Sequence, residues 1–400
     1  MTIWMLNHYA GSPSGTPATR TFDLSKELVR LGHQVTIFAC SFNHYSFAEE
    51  QLRPYQLFRF AHLDGVRFVW IRSVAYRRND YLRFLNMLTF ALLAFAIGLW
   101  LRPRPHIVIG TTVHPFTPVS AYFVSRLRRC RFWLDITDIW PQSLIELGHL
   151  KAKSLPARVI ARLEEFSLAK ADLVMSVIPN IADYVREKGL MGKRTAWIPN
   201  GIDSARASLI NATDVPENSL FTVAYAGGFA AAHALGVVLD AAAIVQSAGE
   251  MPIRFVLIGN GPEMDTVRAG VERLGLKNVS LPGFIRKQDL YSRLAQADAF
   301  LCTGRSLPVY RYGISFNKIF DYLLVGRPVI FALHSSNDPI AEAGAGLSVP
   351  AEDPKALADA IVRLSKMPIQ ARREMGKRGR EYVLKEFDYR TICERLVSVL

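Results

Sequence analysis

Short apolar runs alternate with helical stretches along the whole chain, the pattern of parallel sheets joined by crossover helices. In the first half, Thr2–Asn7, Val35–Ala39, Val66–Ile71, His106–Gly110, Phe132–Asp135, Leu173–Ser176 and Thr195–Ile198 read as strands of one sheet. Helical patterns separate them, for instance Ala18–Leu31, which Gly32 then stops. A second series follows Asn200-Gly201, with strands expected at Thr222–Ala226, Arg254–Ile258, Val279–Leu281, Ala299–Leu301 and Pro328–Phe331. Residues 202–218 have no clear period and read as a linker. The last stretch, from Ala371 to Leu400, is helical and basic. With 400 residues, two cores are the natural division. The expected fold is α/β, with two Rossmann-like parallel-sheet domains facing a central cleft. They would cover residues 1–203 and 204–383, and 384–400 would be a C-terminal helix packing back on the first. Ligands of such folds bind outside the C-terminal ends of the strands.

One segment breaks the alternation. No charged residue occurs from Phe84 to Leu101, and arginines bracket it at Arg77, Arg78 and Arg83 before, and Arg102 and Arg104 after. Its length is at the lower edge for a bilayer span. Asn86, Thr89 and Gly98 weaken that reading, and the next strand needs this helix as its crossover. A helix buried in the domain or skimming a membrane is therefore expected.

Charge adds a partner class. The chain has 48 Lys and Arg against 35 Asp and Glu, a formal net charge of +13, and a pI near 9.7. That balance suits a phosphate-bearing substrate, an acidic membrane face or nucleic acid. No helix-turn-helix, zinc or RNA-binding signature accompanies it, so nucleic acid is excluded as the expected partner. Arg77, Arg78 and Arg83, with Tyr76 and Tyr81 among them, are expected to contact an anionic membrane surface. Cys40, Cys130, Cys302 and Cys393 are far apart, which argues against a zinc site or a disulfide framework and fits a reducing cytosol. The opening MTIWMLNHYAG is too short and polar for a signal peptide and reads as a first strand.

Candidate chemistry gathers in turns between strands and helices. Gly11-Ser-Pro-Ser-Gly15 and Gly227-Gly228 each follow a strand. Glycine there lets a ligand approach the backbone, and the helix that follows favours an anion, although a plain tight turn uses the same residues. Neither turn is G-x-G-x-x-G, so no dinucleotide fingerprint is present. Phe255-Val-Leu-Ile-Gly259-Asn-Gly261-Pro262-Glu263 is a buried strand running into a helix with Pro in its first turn. Lys277–Phe284 is a strand ending in a small loop. In Ser315-Phe-Asn-Lys318-Ile-Phe-Asp321, Lys318 and Asp321 share one face near a helix start. The cation can meet a diphosphate and the carboxylate can accept ribose hydroxyls; an ordinary surface ion pair would use the same spacing.

Taken in order, Trp197-Ile-Pro-Asn-Gly-Ile-Asp203, Tyr225-Ala-Gly-Gly, Leu257-Ile-Gly-Asn-Gly-Pro-Glu263, Asn278–Gly283, Lys318-Ile-Phe-Asp-Tyr with Gly326-Arg-Pro-Val329, and Gly344-Ala-Gly-Leu347 resemble glycosyltransferase family 4. The resemblance runs over nearly the whole chain and implies the GT-B fold, retention of configuration and no bound metal or other cofactor. Asp135-Ile-Thr-Asp138-Ile-Trp-Pro-Gln-Ser143 is similar to a stretch of bacterial envelope-polysaccharide transferases. For these the resemblance implies an N-acetylated, often deoxy, hexosamine, a UDP-linked donor, a polyprenyl-diphosphate-linked acceptor, and a place on the inner face of the cell membrane.

The resemblance also implies site residues. The nucleotide-sugar would meet Gly227, Gly228, His233, Gly259, Gly261, Phe284, Arg311, Ser315, Asn317, Lys318 and Asp321. Gly11 and Gly15 would line the acceptor side, His114 would bond the transferred sugar, and Asp138 would orient the acceptor hydroxyl. Two features of the family are missing. Many members carry an Arg and a Lys after the Tyr-x-Gly turn, where this chain has Gly228-Phe-Ala-Ala-Ala-His233. The first of two glutamates falls on Gly313, and Asp321 takes the place of the second. These departures leave room for two alternatives: a membrane-bound, non-catalytic partner or scaffold of the same fold, and a nucleotide-sugar epimerase.

Overall fold

The computed structural model describes residues 1–11, 19–44, 46–77, 81–112, 114–205, 220–249 and 252–400. They form two compact units. The first comprises Met1–Pro199 and Ile392–Leu400, the second Asn200–Thr391. Gly15, Arg78 and most of the expected linker lie outside the described residues.

The first unit runs β1 (Thr2–Leu6), α1 (Arg20–Arg30), β2 (Gln34–Cys40), the short pair β3 (Phe42–Asn43) and β4 (Ala48–Glu49), β5 (Phe58–Leu63) and β6 (Val66–Ile71). It continues with α2 (Tyr81–Trp100), β7 (Ile107–Thr111), α3 (Phe116–Leu127), β8 (Arg131–Ile136), α4 (Gln142–Glu146), α5 (Leu155–Lys170), β9 (Leu173–Ser176), α6 (Ile181–Glu187) and β10 (Thr195–Trp197). Eight strands form one sheet in the order β10-β9-β8-β7-β1-β2-β6-β5. All neighbours are parallel except β5, which pairs antiparallel with β6. The central strands are buried on both faces, and Trp4, Phe38 and Trp133 are among the largest fully buried side chains.

The second unit runs β11 (Phe221–Ala226), α7 (Leu235–Ala248), β12 (Ile253–Ile258), α8 (Met264–Arg273), β13 (Val279–Gly283), α9 (Lys287–Leu294), β14 (Ala299–Thr303) and α10 (Asn317–Val325). Then come β15 (Val329–Ala332), α11 (Pro339–Ala343), β16 (Gly346–Val349), α12 (Pro354–Lys366) and α13 (Ile369–Glu386); α14 (Tyr389–Val397) enters the first unit at Ile392. Its six strands are all parallel, in the order β13-β12-β11-β14-β15-β16. The α/β class read from the sequence is the observed one. The hairpin strand β5 and the edge strand β16 were not expected. Both are edge strands with mostly half-exposed or exposed side chains, so neither shows the apolar run of a central strand.

Helix α2, which carries no charge after Arg83, is half in the core. Asn86, Met87, Phe90, Ala91, Ala94, Ile97 and Gly98 are buried, while the opposite face is open. A Cβ at Gly98 would stand 2.9 Å from Val124, so the bare glycine lets α3 pack closely along it.

A buried ion pair ties α1 to the sheet. Arg20 Nη1 donates to Asp135 Oδ2 at 2.8 Å and Nη2 to the Ile198 carbonyl at 2.8 Å, while Thr111 Oγ1 donates to the same carboxylate oxygen at 3.2 Å. Asp135 is the penultimate residue of β8, Thr111 ends β7, and Ile198 follows β10, so the guanidinium and its carboxylate partner together gather three strand ends. Losing one partner of such a pair strands the other charge away from water. Arg20→Met is therefore expected to cost about 3–5 kcal/mol in chemical denaturation; a loss below about 1 kcal/mol would show the pair to be incidental.

Candidate active site

Each sheet has one place where consecutive loops leave in opposite directions. In the first it is the β1–β7 pair, because β1 lies between β2 and β7. In the second it is β11–β14, because β11 lies between β12 and β14. Such switch points open a crevice at the strand C-termini. The groups that follow these four strands supply the chemistry.

In the first unit His8 follows β1 and His114 follows β7. His8 Nδ1 and His114 Nε2 are 2.8 Å apart and both rings are buried, so one nitrogen donates to the other and the two tautomers are coupled. His8 is stacked between Tyr9 (4.5 Å) and Phe90 of α2 (4.7 Å), and Thr117 Oγ1 is 3.2 Å from His114 Nε2. His114 Nδ1 has no hydrogen-bond partner among the described residues. Burial, and then the nearby Arg83 charge, push His114 down to about 3; burial, His114 and Arg83 hold His8 well below the usual imidazole range. His44, next to Tyr76, is lowered to about 4 by burial and Arg83. The site is therefore a set of neutral imidazoles beside a guanidinium, able to bond hydroxyls without taking up a proton at neutral pH.

Arg83, expected at a membrane surface, is half-buried and turns inward; its Nε and Nη2 each stand 3.4 Å from the Tyr9 hydroxyl. Arg77 is exposed. Asp138 is exposed, and its Oδ2 accepts from Trp140 Nε1 at 3.0 Å. A small cavity is lined by both His114 and Asp138, together with Thr112 and Trp140, so these two expected residues do come together. Gly11 is buried just past β1.

In the second unit Lys318, from the first turn of α10, reaches back over the end of β11. Its Nζ donates to the Tyr225 hydroxyl at 2.8 Å, lies 4.2 Å from the centre of that ring, and is 3.4 Å from His233 Nδ1. Tyr225 in turn donates to the Gly228 carbonyl at 2.8 Å. A Cβ at Gly227 would stand 3.1 Å from the Lys318 Cε, so that glycine leaves the space for the lysine stem. No carboxylate among the described residues lies within ion-pair reach of Lys318. Burial lowers it to about 8, and burial with the Lys318 charge lowers His233 to about 3. The surface ion pair with Asp321 does not form: Asp321 Oδ1 accepts the Tyr291 hydroxyl at 2.5 Å instead.

The other expected donor-side residues sort by what they touch. At Gly259 (φ 150°) a Cβ would fall 1.9 Å from the Gly227 carbonyl oxygen, and at Gly261 (φ 158°) 2.4 Å from that of Phe229. These glycines serve the close packing of the β11 and β12 loops, held by Gly227 N to Ile258 O (3.0 Å) and Phe229 N to Asn260 O (2.9 Å). Ser315 Oγ accepts from Asn200 N at 3.2 Å, and Asn317 is exposed at the start of α10. Arg311 lies in a short 3-10 turn with its guanidinium 4.5 Å from the centre of the Tyr312 ring. Gly228 and Phe284 are exposed, Phe284 just past β13. Among the described residues no three His, Cys, Asp or Glu side chains are placed to hold a metal ion.

Two family profiles cover most of the chain. The glycosyl transferase 4-like domain matches residues 15–201, and glycosyl transferases group 1 matches residues 221–367. The chain belongs to glycosyltransferase family 4. A curated relative, the putative colanic acid biosynthesis glycosyltransferase WcaL of Escherichia coli, is 26% identical over 236 residues, 58% of this chain and 57% of that protein. The chain thus spans little more than half the length of that relative. Among solved structures, sucrose-phosphate synthase from Thermosynechococcus elongatus superposes with a TM-score of 0.75 at 18% identity, covering 100% of this chain and 98% of that one. Anabaena HepE in complex with UDP and glucose gives 0.68 at 17%, covering 99% and 98%. These likenesses establish the GT-B fold of two Rossmann-like units.

Sequence reasoning missed His8 and Tyr9, gave Arg83 to a membrane surface, and quoted Tyr225 in its turn without a role. The first two had a signal, since they are the first residues past an apolar strand at a switch point. Because both histidines sit far below the usual range, 15N NMR of the ring nitrogens should show His8 and His114 neutral from pH 8 down to pH 5; a ring that protonates near 6.5 would contradict the dry pair described above.

Proposed function

We propose that this transferase moves an N-acetylated amino sugar, with retention and without a metal, from a UDP-sugar to a polyprenyl-diphosphate-linked glycan. Its place would be bacterial surface-polysaccharide synthesis on the inner face of the cell membrane. The observation that carries the donor part is Lys318, a desolvated cation with no carboxylate, held against the Gly227-Gly228 turn. A diphosphate supplies the charge that this cation lacks. HepE, of the same fold, is described with UDP and glucose, and WcaL is named for colanic acid biosynthesis, which support the donor class and the pathway class.

The chemistry follows from electrostatics. As the glycosidic bond to the nucleotide breaks, negative charge grows on the diphosphate, and a cation already out of water stabilises it with little reorganisation. Lys318 and His233 take the place of the missing Arg and Lys pair: the ammonium meets the charge while the neutral imidazole donates or accepts one hydrogen bond. His114 Nδ1, with no partner among the described residues, would bond a hydroxyl of the transferred sugar. Asp138 would orient the acceptor hydroxyl. The lysine speaks against a non-catalytic scaffold, because a desolvated cation destabilises a fold that has no use for it.

The pH dependence has a definite sign. Lys318 falls from 10.5 to about 8 in the unliganded fold, so its protonated form favours the unfolded chain below about pH 8, and that cost fades as pH rises to 10.5. Lys318→Met should stabilise the unliganded protein at pH 7 by about 1–3 kcal/mol, while calorimetric titration with UDP loses at least about tenfold in affinity. Bound diphosphate raises the lysine again, so UDP affinity in the parent protein should decline as pH climbs through 8. Unchanged UDP affinity in the variant would remove Lys318 from the site, and a nucleotide-sugar panel giving no heat at all would favour the scaffold. Transfer to a lipid-linked acceptor should persist in EDTA; its complete loss, restored by a divalent cation, would overturn the metal-free mechanism.

A further inference from the structure

The outer face of α2 is apolar over its whole length and open to solvent. Tyr81, Phe84, Leu85, Leu92, Leu99 and Trp100 are exposed, with Leu92 at 59% and Trp100 at 54%. The helix α3 runs parallel beside it, with Phe84 against Phe116 (5.2 Å) at one end and Ser120 donating to the Ala91 carbonyl (2.8 Å) midway. It adds Phe123 and Leu127, at 46% and 62% exposure, with Phe123 beside Phe166 of α5 (6.1 Å). Patches of this kind on a folded protein mark a contact.

Charge identifies the contact. From Tyr81 to Leu134 the chain has seven arginines and no Asp or Glu. Arg128 fastens the C-terminal ends of the two helices, donating to the carbonyls of Leu99 (2.9 Å) and Leu101 (2.8 Å), and Arg104 Nη2 caps α3 at the Arg129 carbonyl (2.9 Å). Arg102, Arg126 and Arg129 stay exposed around that end, with no carboxylate partner among the described residues. Asp172 lines the neighbouring recess and is engaged by the backbone amide of Phe132 at 2.8 Å. A symmetric second copy would set this acid-free cluster against itself.

We infer that the outer face of α2 and α3 lies in the headgroup–acyl boundary of an anionic bilayer, with Arg102, Arg126 and Arg129 on lipid phosphates. The inference deepens the membrane part of the proposed function and moves the basic contact to the far end of α2, since Arg83 turns toward Tyr9. Apolar insertion and arginine attraction act together on such surfaces. The N-terminal end of the same helix carries Arg83 beside the His8–His114 pair, which places that pair at one end of the membrane-facing strip.

Vesicle co-sedimentation of the full chain tests it. The protein should pellet with phosphatidylglycerol-containing vesicles and at least about tenfold less with pure phosphatidylcholine. The variant R102Q/R126Q/R129Q, and separately L92S/L99S/L127S, should each lose at least about tenfold in partitioning. All these side chains are exposed or near the surface, and thermal unfolding of each variant checks that the fold is kept. Undiminished vesicle binding by both variants would overturn the inference. So would a parent protein that is dimeric by light scattering and becomes monomeric in the leucine variant. UDP titration separates the two readings: a chain that binds vesicles as stated yet takes no nucleotide sinks the proposed function and leaves the docking face standing.

Discussion

A topological constraint governs where this chain can do chemistry. In a parallel sheet the loops stay packed together as long as the crossovers wind the same way, and they separate only where the winding reverses. Each sheet here has one such reversal, and at each the chain has put bases that are out of water: a histidine pair beside Arg83 in the first, Lys318 over Tyr225 with His233 in the second. The lysine arrangement would not persist in an ordinary core, because desolvation opposes its charged form and no carboxylate among the described residues offsets it, whereas burial keeps the histidine pair neutral. The contrast with Arg20 is instructive. That guanidinium is more deeply buried than Lys318, but the Asp135 carboxylate and the Ile198 carbonyl accept from it, and it works as a brace between strand ends. One buried cation holds the fold together, and the other waits for an anion.

That contrast also explains what the sequence could and could not tell. The two sheets were legible because central strands of parallel sheets are continuous apolar runs, and Thr2–Leu6 or Ile253–Ile258 cannot easily be anything else. The edge strands β5 and β16 were not, since half-exposed strands mix polar and apolar residues. Lys318 could be picked out from its place at a helix start, but its partner could not. Spacing on one helix suggested Asp321, whereas the tertiary structure supplies Tyr225, 93 residues away in the chain. His8 and His114 are 106 residues apart, and only the adjacency of β1 and β7 joins them.

Glycine shows the same limit from the other side. Gly227, Gly259 and Gly261 all looked like room for a ligand. The fold uses the missing side chains differently at each. At Gly227 the space accommodates the lysine stem, while at Gly259 and Gly261 it is filled by the carbonyls of the neighbouring loop. The two loops thereby pack tightly on each other, and two backbone hydrogen bonds hold the turn that presents Gly228 in place without a ligand. Preorganisation of that kind matters more for a diphosphate than for a neutral sugar, because dipoles that need not reorient retain their full effect on a growing charge.

Helix α2 shows how one segment can serve three demands that conflict in composition. Its inner face must be apolar to lie on the sheet, and Phe90 does this while also forming the floor under His8. Its first turn must deliver a cation to the histidines, and Arg83 does so from the last charged position before the uncharged run. Its outer face needs neither packing nor charge to keep the fold, yet it is as apolar as the inner one. A helix of a purely water-soluble domain would carry polar residues there, as α12 does with Lys355, Asp359, Arg363 and Lys366. The even apolarity of α2, which gave no clear face in the sequence, is thus the signature of two different neighbours: the sheet on one side and, on the reading argued above, acyl chains on the other.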